Sequence, residues 1–268
     1  MAERVIVSKE GGVADVRLNR AEKLNALDQA MFEALIETGR ALGKDRALRA
    51  VVLSGEGRAF CAGLDFASFM AMSGDGDGAG RTLLGRAEES PANFAQRAAW
   101  VWTEIPVPVI AAVHGVAFGG GLQVALGADL RIAAPNAQLS VMEIKWGLIP
   151  DMSGTQTLRR LVRLDVAKEL TFTGRIVSGT EAAALGLVTR VADDPRAAAL
   201  ALAGEIASKS PDAIRAGKQL LDQSVQLGVA DGLKLEERLQ RSLIGSANQV
   251  EAVQANIQKR APEFRDPA

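Results

Sequence analysis

The stretch from Ile105 to Ala128 contains no Asp, Glu, Lys or Arg. A run of that length is long enough to cross a bilayer as one helix. Its content argues otherwise. Pro106 and Pro108 stand at its start, His114 and Gln123 lie within it, and Gly119, Gly120 and Gly121 interrupt it. Proline breaks a helix interior, and a glycine cluster marks a turn. The stretch therefore divides into a buried strand (Val109 to Val113), a glycine-rich turn, and a buried helix over Leu122 to Leu126. A continuously apolar strand must be covered on both faces, which is the habit of layered α/β proteins.

The same pattern recurs along the chain. Ala50-Val51-Val52-Leu53 is an apolar run closed by Ser54-Gly55-Glu56-Gly57, and Leu130 to Ala133 is another. Val13 to Leu18 alternates roughly at period two, as a half-buried strand does. Leu27 to Leu42 carries Met31, Leu35 and Leu42 among polar residues, which predicts an amphipathic helix. Met72 to Gly80 is rich in Ser, Gly and Asp and reads as a mobile loop. From about Arg196 the pattern is helical to the end, over Ala197 to Ser208, Pro211 to Gln226 and Asp231 to Lys259. Ser210-Pro211 forms a cap and first-turn pair. The expected division is a strand-containing core over 1–194 and a helical region over 195–268.

Composition narrows the chemistry. With 268 residues, 48% hydrophobic, the chain can bury a sizeable core. A net charge of −1 gives no electrostatic ground for binding nucleic acid or an anionic membrane. Cys61 is the sole cysteine, so no intramolecular disulfide forms, and a reducing compartment suits the chain. The N-terminus holds Val5-Ile6-Val7 rather than a long apolar run, and a soluble, cytoplasmic protein is expected. One histidine and no tyrosine exclude a His-rich metal site and leave acid–base work to carboxylates. Other familiar motifs fail. Gly55-x-Gly57 would need glycine at Phe60 for a dinucleotide fingerprint. A calcium loop from Asp75 would need glutamate at Arg86. No nucleophile elbow is present.

Two glycine-rich turns remain, each following an apolar strand: Gly57 to Asp65, and His114 to Gln123. Small residues let the backbone approach a ligand closely. The first amides of a helix lack internal partners and are natural donors to an oxyanion. Either turn alone is also a plain strand-to-helix connection.

In their order and surroundings, these turns resemble the crotonase (enoyl-CoA hydratase/isomerase) superfamily. The resemblance runs from Leu18-Asn19-Arg20-Ala21-Glu22-Lys23-Leu24-Asn25-Ala26-Leu27 through Ala59-Phe60-Cys61-Ala62-Gly63-Leu64-Asp65. It continues over Ile110 to Gly115, the triple glycine, Ala128 to Ala133, Gly147-Leu148-Ile149-Pro150, Gly154-Thr155-Gln156 and Phe172 to Arg175. Glu181-Ala182, Gly186-Leu187-Val188 and Lys259 to Phe264 complete it. It implies an α/β fold, a ClpP-like crotonase spiral of ββα units with a C-terminal helical trimerisation region, and assembly as a homotrimer or a hexamer built as a dimer of trimers. The substrate implied is an acyl-CoA thioester, with no metal or other cofactor.

The resemblance places the oxyanion-hole amides at Leu64 and Gly120. It assigns CoA and substrate contacts to Arg20, Lys23, Leu24, Ala62, Asp65, Phe66, Ala67 and Lys259, with Phe66 to Asn93 beside the acyl chain. Ala21 stands where the family motif has proline. Cys61 and His114 read as structural. Hydratases of the family use two glutamates around one water. Here those positions hold Gln123 and Glu143. An amide exchanges no proton near neutral pH, though it can orient water. Glu143 then serves as general base, its affinity for the proton raised by partial burial. Asp151 stands where most hydratases carry glycine. Dienoyl-CoA isomerases and chlorobenzoyl-CoA dehalogenases carry aspartate there, but the dehalogenase tryptophan and histidine are missing. Glu143, Asp151 and Gln123 are the expected catalytic set. With half the hydratase pair missing, the favoured reaction is double-bond isomerisation of an enoyl-CoA. The alternatives are hydration of a 2-enoyl-CoA to a 3-hydroxyacyl-CoA and a non-catalytic CoA-binding module.

Overall fold

A computed structural model describes residues 3–67, 83–86 and 90–267. The expected loop over Met72 to Gly80 lies outside these residues. The core is a six-stranded sheet built from β1 (Val5–Glu10), β2 (Val13–Leu18), β3 (Ala50–Gly55), β4 (Val109–Val113), β6 (Leu130–Ala133) and β9 (Arg190–Val191). β1 and β2 form an antiparallel hairpin, and every later pairing in this sheet is parallel. A smaller sheet joins β5 (Val116–Phe118), β7 (Gln138–Ser140) and β8 (Val177–Ser178). The stretch from Ile105 to Ala128 is thus divided among β4, β5 and the helix α3 (Gly120–Leu126). Among the described residues, no helix is long and apolar enough to cross a membrane.

The parallel strands are apolar without interruption because each face meets a different layer. Val51 and Leu53 of β3, and Val109, Ala111 and Val113 of β4, point into one cluster. That cluster takes in α1 (Gln29–Gly43), through Met31, Phe32 and Leu35, and α2 (Phe94–Glu104), through Ala98 and Trp102. The alternate residues Ala50, Val52, Ile110, Ala112 and Ile132 point the other way. There they meet Ala199 and Ala203 of α7 (Pro195–Ala207), one turn apart on that helix. The expected division at Asp194 falls on the residue that caps α7, with its carboxylate accepting from Ala197 N at 2.9 Å. Yet α7 is a layer of the core. The sheet's second face needs cover, and the small side chains at 199 and 203 let the helix lie close to it.

The later helices are different. α8 (Pro211–Ser224) and α9 (Val229–Leu243) pack on each other, and α10 (Ala247–Gln258) follows. The single helical run expected over Asp231 to Lys259 is broken. Gly245, at φ +77°, turns the chain, and the Ser246 hydroxyl caps α10 by accepting from Gln249 N. α1 likewise starts at Gln29 rather than Leu27. Asp28 caps it by accepting from Met31 N at 2.8 Å, while Leu27 bridges to Leu64.

Candidate active site

β3 and β4 lie side by side and end together, so the turns that follow them meet. Phe60 N donates to His114 O, Cys61 N to Val116 O, and Phe118 N to Cys61 O, at 2.9–3.1 Å. This seam has no room for side chains at two points. A Cβ on Gly115 would stand 2.0 Å from Arg58 O, and one on Gly121 would stand 2.3 Å from Cys61 O. The first turn is also sewn to the segment before α1. Ala62 N donates to Leu24 O, Leu27 N to Gly63 O, and Asp65 N to Leu27 O. Asn25 completes the attachment. Its Oδ1 accepts from Arg20 N, and its Nδ2 donates to Glu56 O and Ala59 O. Asn25 lies inside the quoted motif, but sequence reasoning gave it no role. Its full burial and its φ of +56° belong to the folded chain, and no local sequence pattern signals them.

Two amides result from this construction. Gly63, at φ +91°, carries its peptide past Gly120, whose nitrogen lies 3.7 Å from where a Gly63 Cβ would stand. Gly120 is the first residue of α3, and Gly119 before it offers no side-chain cap. Among the described residues, neither Leu64 N nor Gly120 N has an acceptor. Both border a pocket of about 290 Å³. Preorganised donors of this kind stabilise charge developing on a carbonyl oxygen.

Glu143 faces them. It opens a short 3-10 turn, Glu143–Trp146, and is 8% exposed. Its Oε1 accepts from Gln123 Nε2 at 2.6 Å, while its buried Oε2 has no partner among the described residues. Burial raises its proton affinity above the ordinary carboxylate range. The nearby Asp151 charge adds to that rise, and the Gln123 bond opposes it. Asp151 sits at the exposed rim of the same pocket, where partial desolvation pushes its carboxyl up as well. Lys145 does not pair with Glu143. Its ammonium lies 5.7 Å from the centre of the Trp146 ring. That ring meets Phe66 at 4.5 Å between centroids, and the two form an aromatic wall of the pocket.

The pocket therefore gathers Ala62, Leu64, Phe66, Gly120, Gln123, Glu143 and Asp151 from the expected set. Leu83 and Leu84 of the expected acyl-side segment also line it. The basic residues divide. Arg20 is buried, paired with Asp65 at 2.8 Å and Asp28 at 3.5 Å, and donates to Ala26 O. It braces the first turn from inside, which also occupies Asp65, and it is not presented to a ligand. Lys23 ends an exposed 3-10 turn that Leu24 closes in a left-handed conformation. Lys259 is exposed at the end of α10, and Ala67 is exposed beside Phe66. Cys61 is inert. It is fully buried, its thiol meets Asn25 O at 3.1 Å, and burial pushes its pKa up to about 12.

An apolar pocket bordered by two backbone amides without an acceptor among the described residues, and holding one buried carboxylate, has the make-up of an enzyme site for carbonyl chemistry. Comparison with known proteins is consistent with that class. Residues 8–267 match the family described as enoyl-CoA hydratase/isomerase. The chain is 35% identical over 271 residues to enoyl-CoA hydratase domain-containing protein 2, mitochondrial, of Homo sapiens, covering 97% of this chain and 88% of that protein. It is 37% identical to a probable enoyl-CoA hydratase of Rhizobium meliloti, over 98% of both. The crystal structure of an enoyl-CoA hydratase from Bacillus anthracis superposes with a TM-score of 0.89 at 32% identity, over 97% of this chain and 98% of that one. The chain belongs to the enoyl-CoA hydratase/isomerase family of the crotonase superfamily, whose members are enzymes acting on acyl-CoA thioesters.

Proposed function

We propose that this enzyme hydrates a 2-enoyl-CoA to a 3-hydroxyacyl-CoA. The observation that carries the reading is the buried Oε2 of Glu143, without a partner among the described residues, in the pocket that Leu64 N and Gly120 N border. In the proposed reaction the thioester oxygen accepts from both amides. Glu143 takes a proton from water as the water oxygen bonds to the β-carbon, and charge moves onto the thioester oxygen. Glu143 then returns that proton to the α-carbon, so water has added across the double bond and the carboxylate is restored. Asp151, on the rim, holds the water from its other side in place of the second glutamate. The names of the relatives, which are those of hydratases, favour this over the isomerisation expected from the sequence.

One observation favours the isomerase reading. Gln123 supplies no second proton-transfer group, and a single carboxylate suffices to move a proton from the α- to the γ-carbon of a 3-enoyl-CoA. Separate incubations with 2-enoyl- and 3-enoyl-CoA distinguish the two. Hydration adds the mass of one water and removes the conjugated-thioester absorbance. Bond migration without added water overturns the hydratase reading. Glu143→Gln should lower kcat by about 10²–10⁴, the usual worth of a general base. Unchanged turnover in that variant overturns Glu143 as the base in both readings, and a native protein that turns over neither substrate favours a non-catalytic CoA-binding protein.

The reading includes assembly as a homotrimer or as a hexamer of two trimers. Leu221 of α8 and Val229 and Leu233 of α9 are exposed, and such apolar area is commonly covered by a partner. A monomer by light scattering overturns this part.

A further inference from the structure

Gln123 is only 2% exposed, and nearly all of its hydrogen-bonding capacity is committed. Its Oε1 accepts from Met152 N at 2.8 Å and from Gly154 N at 2.9 Å. Only the oxygen end of an amide can receive two N–H groups, so the two backbone donors fix which end is which. The nitrogen end is thereby turned toward Glu143 Oε1, 2.6 Å away. Packing leaves little freedom to rotate. A Cβ on Gly154 would stand 2.6 Å from Gln123 Oε1, and one on Gly119 would stand 3.3 Å from Glu143 Oε1.

We propose that Gln123 is a positioning residue. It holds Glu143 by one oxygen so that the other is presented to substrate, and it ties that aim to the turn carrying Asp151. The assignment rests on the reading of Glu143 as the proton-transfer group. Both lone pairs of Gln123 Oε1 are taken by backbone amides, so this oxygen is not a seat for the reacting water. The residue type follows from its neighbours. A glutamate at 123 could still accept from Met152 N and Gly154 N, but it would set a second carboxylate against Glu143 with no donor between them. Among the described residues, Asp151 is the charged group acting on Glu143. Removing the Gln123 donor therefore leaves burial and Asp151 unopposed by that bond, and both favour the protonated acid.

Two variants test this. Gln123→Met keeps the length and removes the polar atoms. Gln123→Glu keeps the acceptor for the 152–154 turn and removes the donor. In each, the acid limb of kcat against pH should move to higher pH, further in Gln123→Glu because like charges repel. The Met variant should lose about 10- to 100-fold in kcat near neutral pH, the scale of a misaligned reacting group, with KM changed less than about threefold. The proton affinity of Glu143 is also read without substrate, by ¹³C-carboxyl NMR titration, its signal assigned by loss in Glu143→Gln. An upward shift of that titration in Gln123→Glu supports the assignment even where Gln123→Met fails to fold. An unmoved titration in the folded variants overturns it. A protein with no enoyl-CoA turnover overturns the functional reading and leaves the titration to decide on Gln123.

Discussion

The two glycine-rich turns each contribute one free amide to the same pocket, yet they are held by different means. The second turn is positioned by main chain. β5 pairs with β7, Gly119 N donates to Ser140 O, and α3 begins at once, so Gly120 N, at the first helical residue, has no partner among the described residues. At the first turn Leu64 lies ahead of a helical segment that opens at Phe66, and it is held in a main-chain bridge to Leu27. The turn depends further on Asn25, which binds Arg20 N, Glu56 O and Ala59 O, and on the buried Arg20–Asp65 pair. One donor is thus a by-product of a helix start, and the other is fixed by main-chain and side-chain bonds to a segment distant in sequence. The second turn is thus vulnerable where a glycine has no room for a side chain, and the first also where a side chain supplies the bonds.

The strongest way to break this picture is to wedge the turns apart. Gly121→Ala drives a Cβ to 2.3 Å from Cys61 O, which already accepts from Phe118 N. A cost of about 3 kcal/mol is expected, measurable as a lower denaturation midpoint with both amides disturbed. Asn25→Ala should separate the turns functionally. It removes three hydrogen bonds and places alanine at positive φ, costing about 2 kcal/mol. Because it loosens only the Leu64 side, kcat should fall about tenfold, less than outright loss of an oxyanion donor. An Asn25→Ala enzyme with wild-type kcat would show that the first turn holds itself. The smallest effect belongs to Cys61, which sits on the seam. With its thiol buried and its pKa raised to about 12, the native protein should resist iodoacetamide at pH 8. It should react only as denaturant opens the seam. Prompt labelling of the native protein would mean that the turns part readily.

Much of this was legible before any coordinates. Ala50 to Leu53, Val109 to Val113 and Leu130 to Ala133 read as buried strands because periodicity and length are local properties, and the structure extends only the first, to Gly55. Leu64, Gly120 and Glu143 came from matched motifs, and they do meet in one pocket. What escaped depends on partners remote in sequence. Val116 to Phe118 is too short to announce a strand inside a glycine-rich turn, and it becomes one because Gln138 to Ser140 lies alongside. Arg20 looks like a ligand-binding base until Asp28 and Asp65 close on it. Gln123 reads in the sequence as a residue able to orient water. Its orientation is set by Met152 N and Gly154 N, on a turn that no local pattern connects to it.

The placement of α7 has a consequence for how the chain is made. Ala50, Val52, Ile110 and Ala112 are shielded by Ala199 and Ala203, which leave the ribosome long after the strands they cover. Until synthesis passes residue 207 of 268, one whole face of the central sheet has no lid of its own. Nascent chains in that interval display an apolar surface built from parallel strands, a hazard for aggregation. Chains released early in that interval should be poor folders whatever the state of their active-site residues.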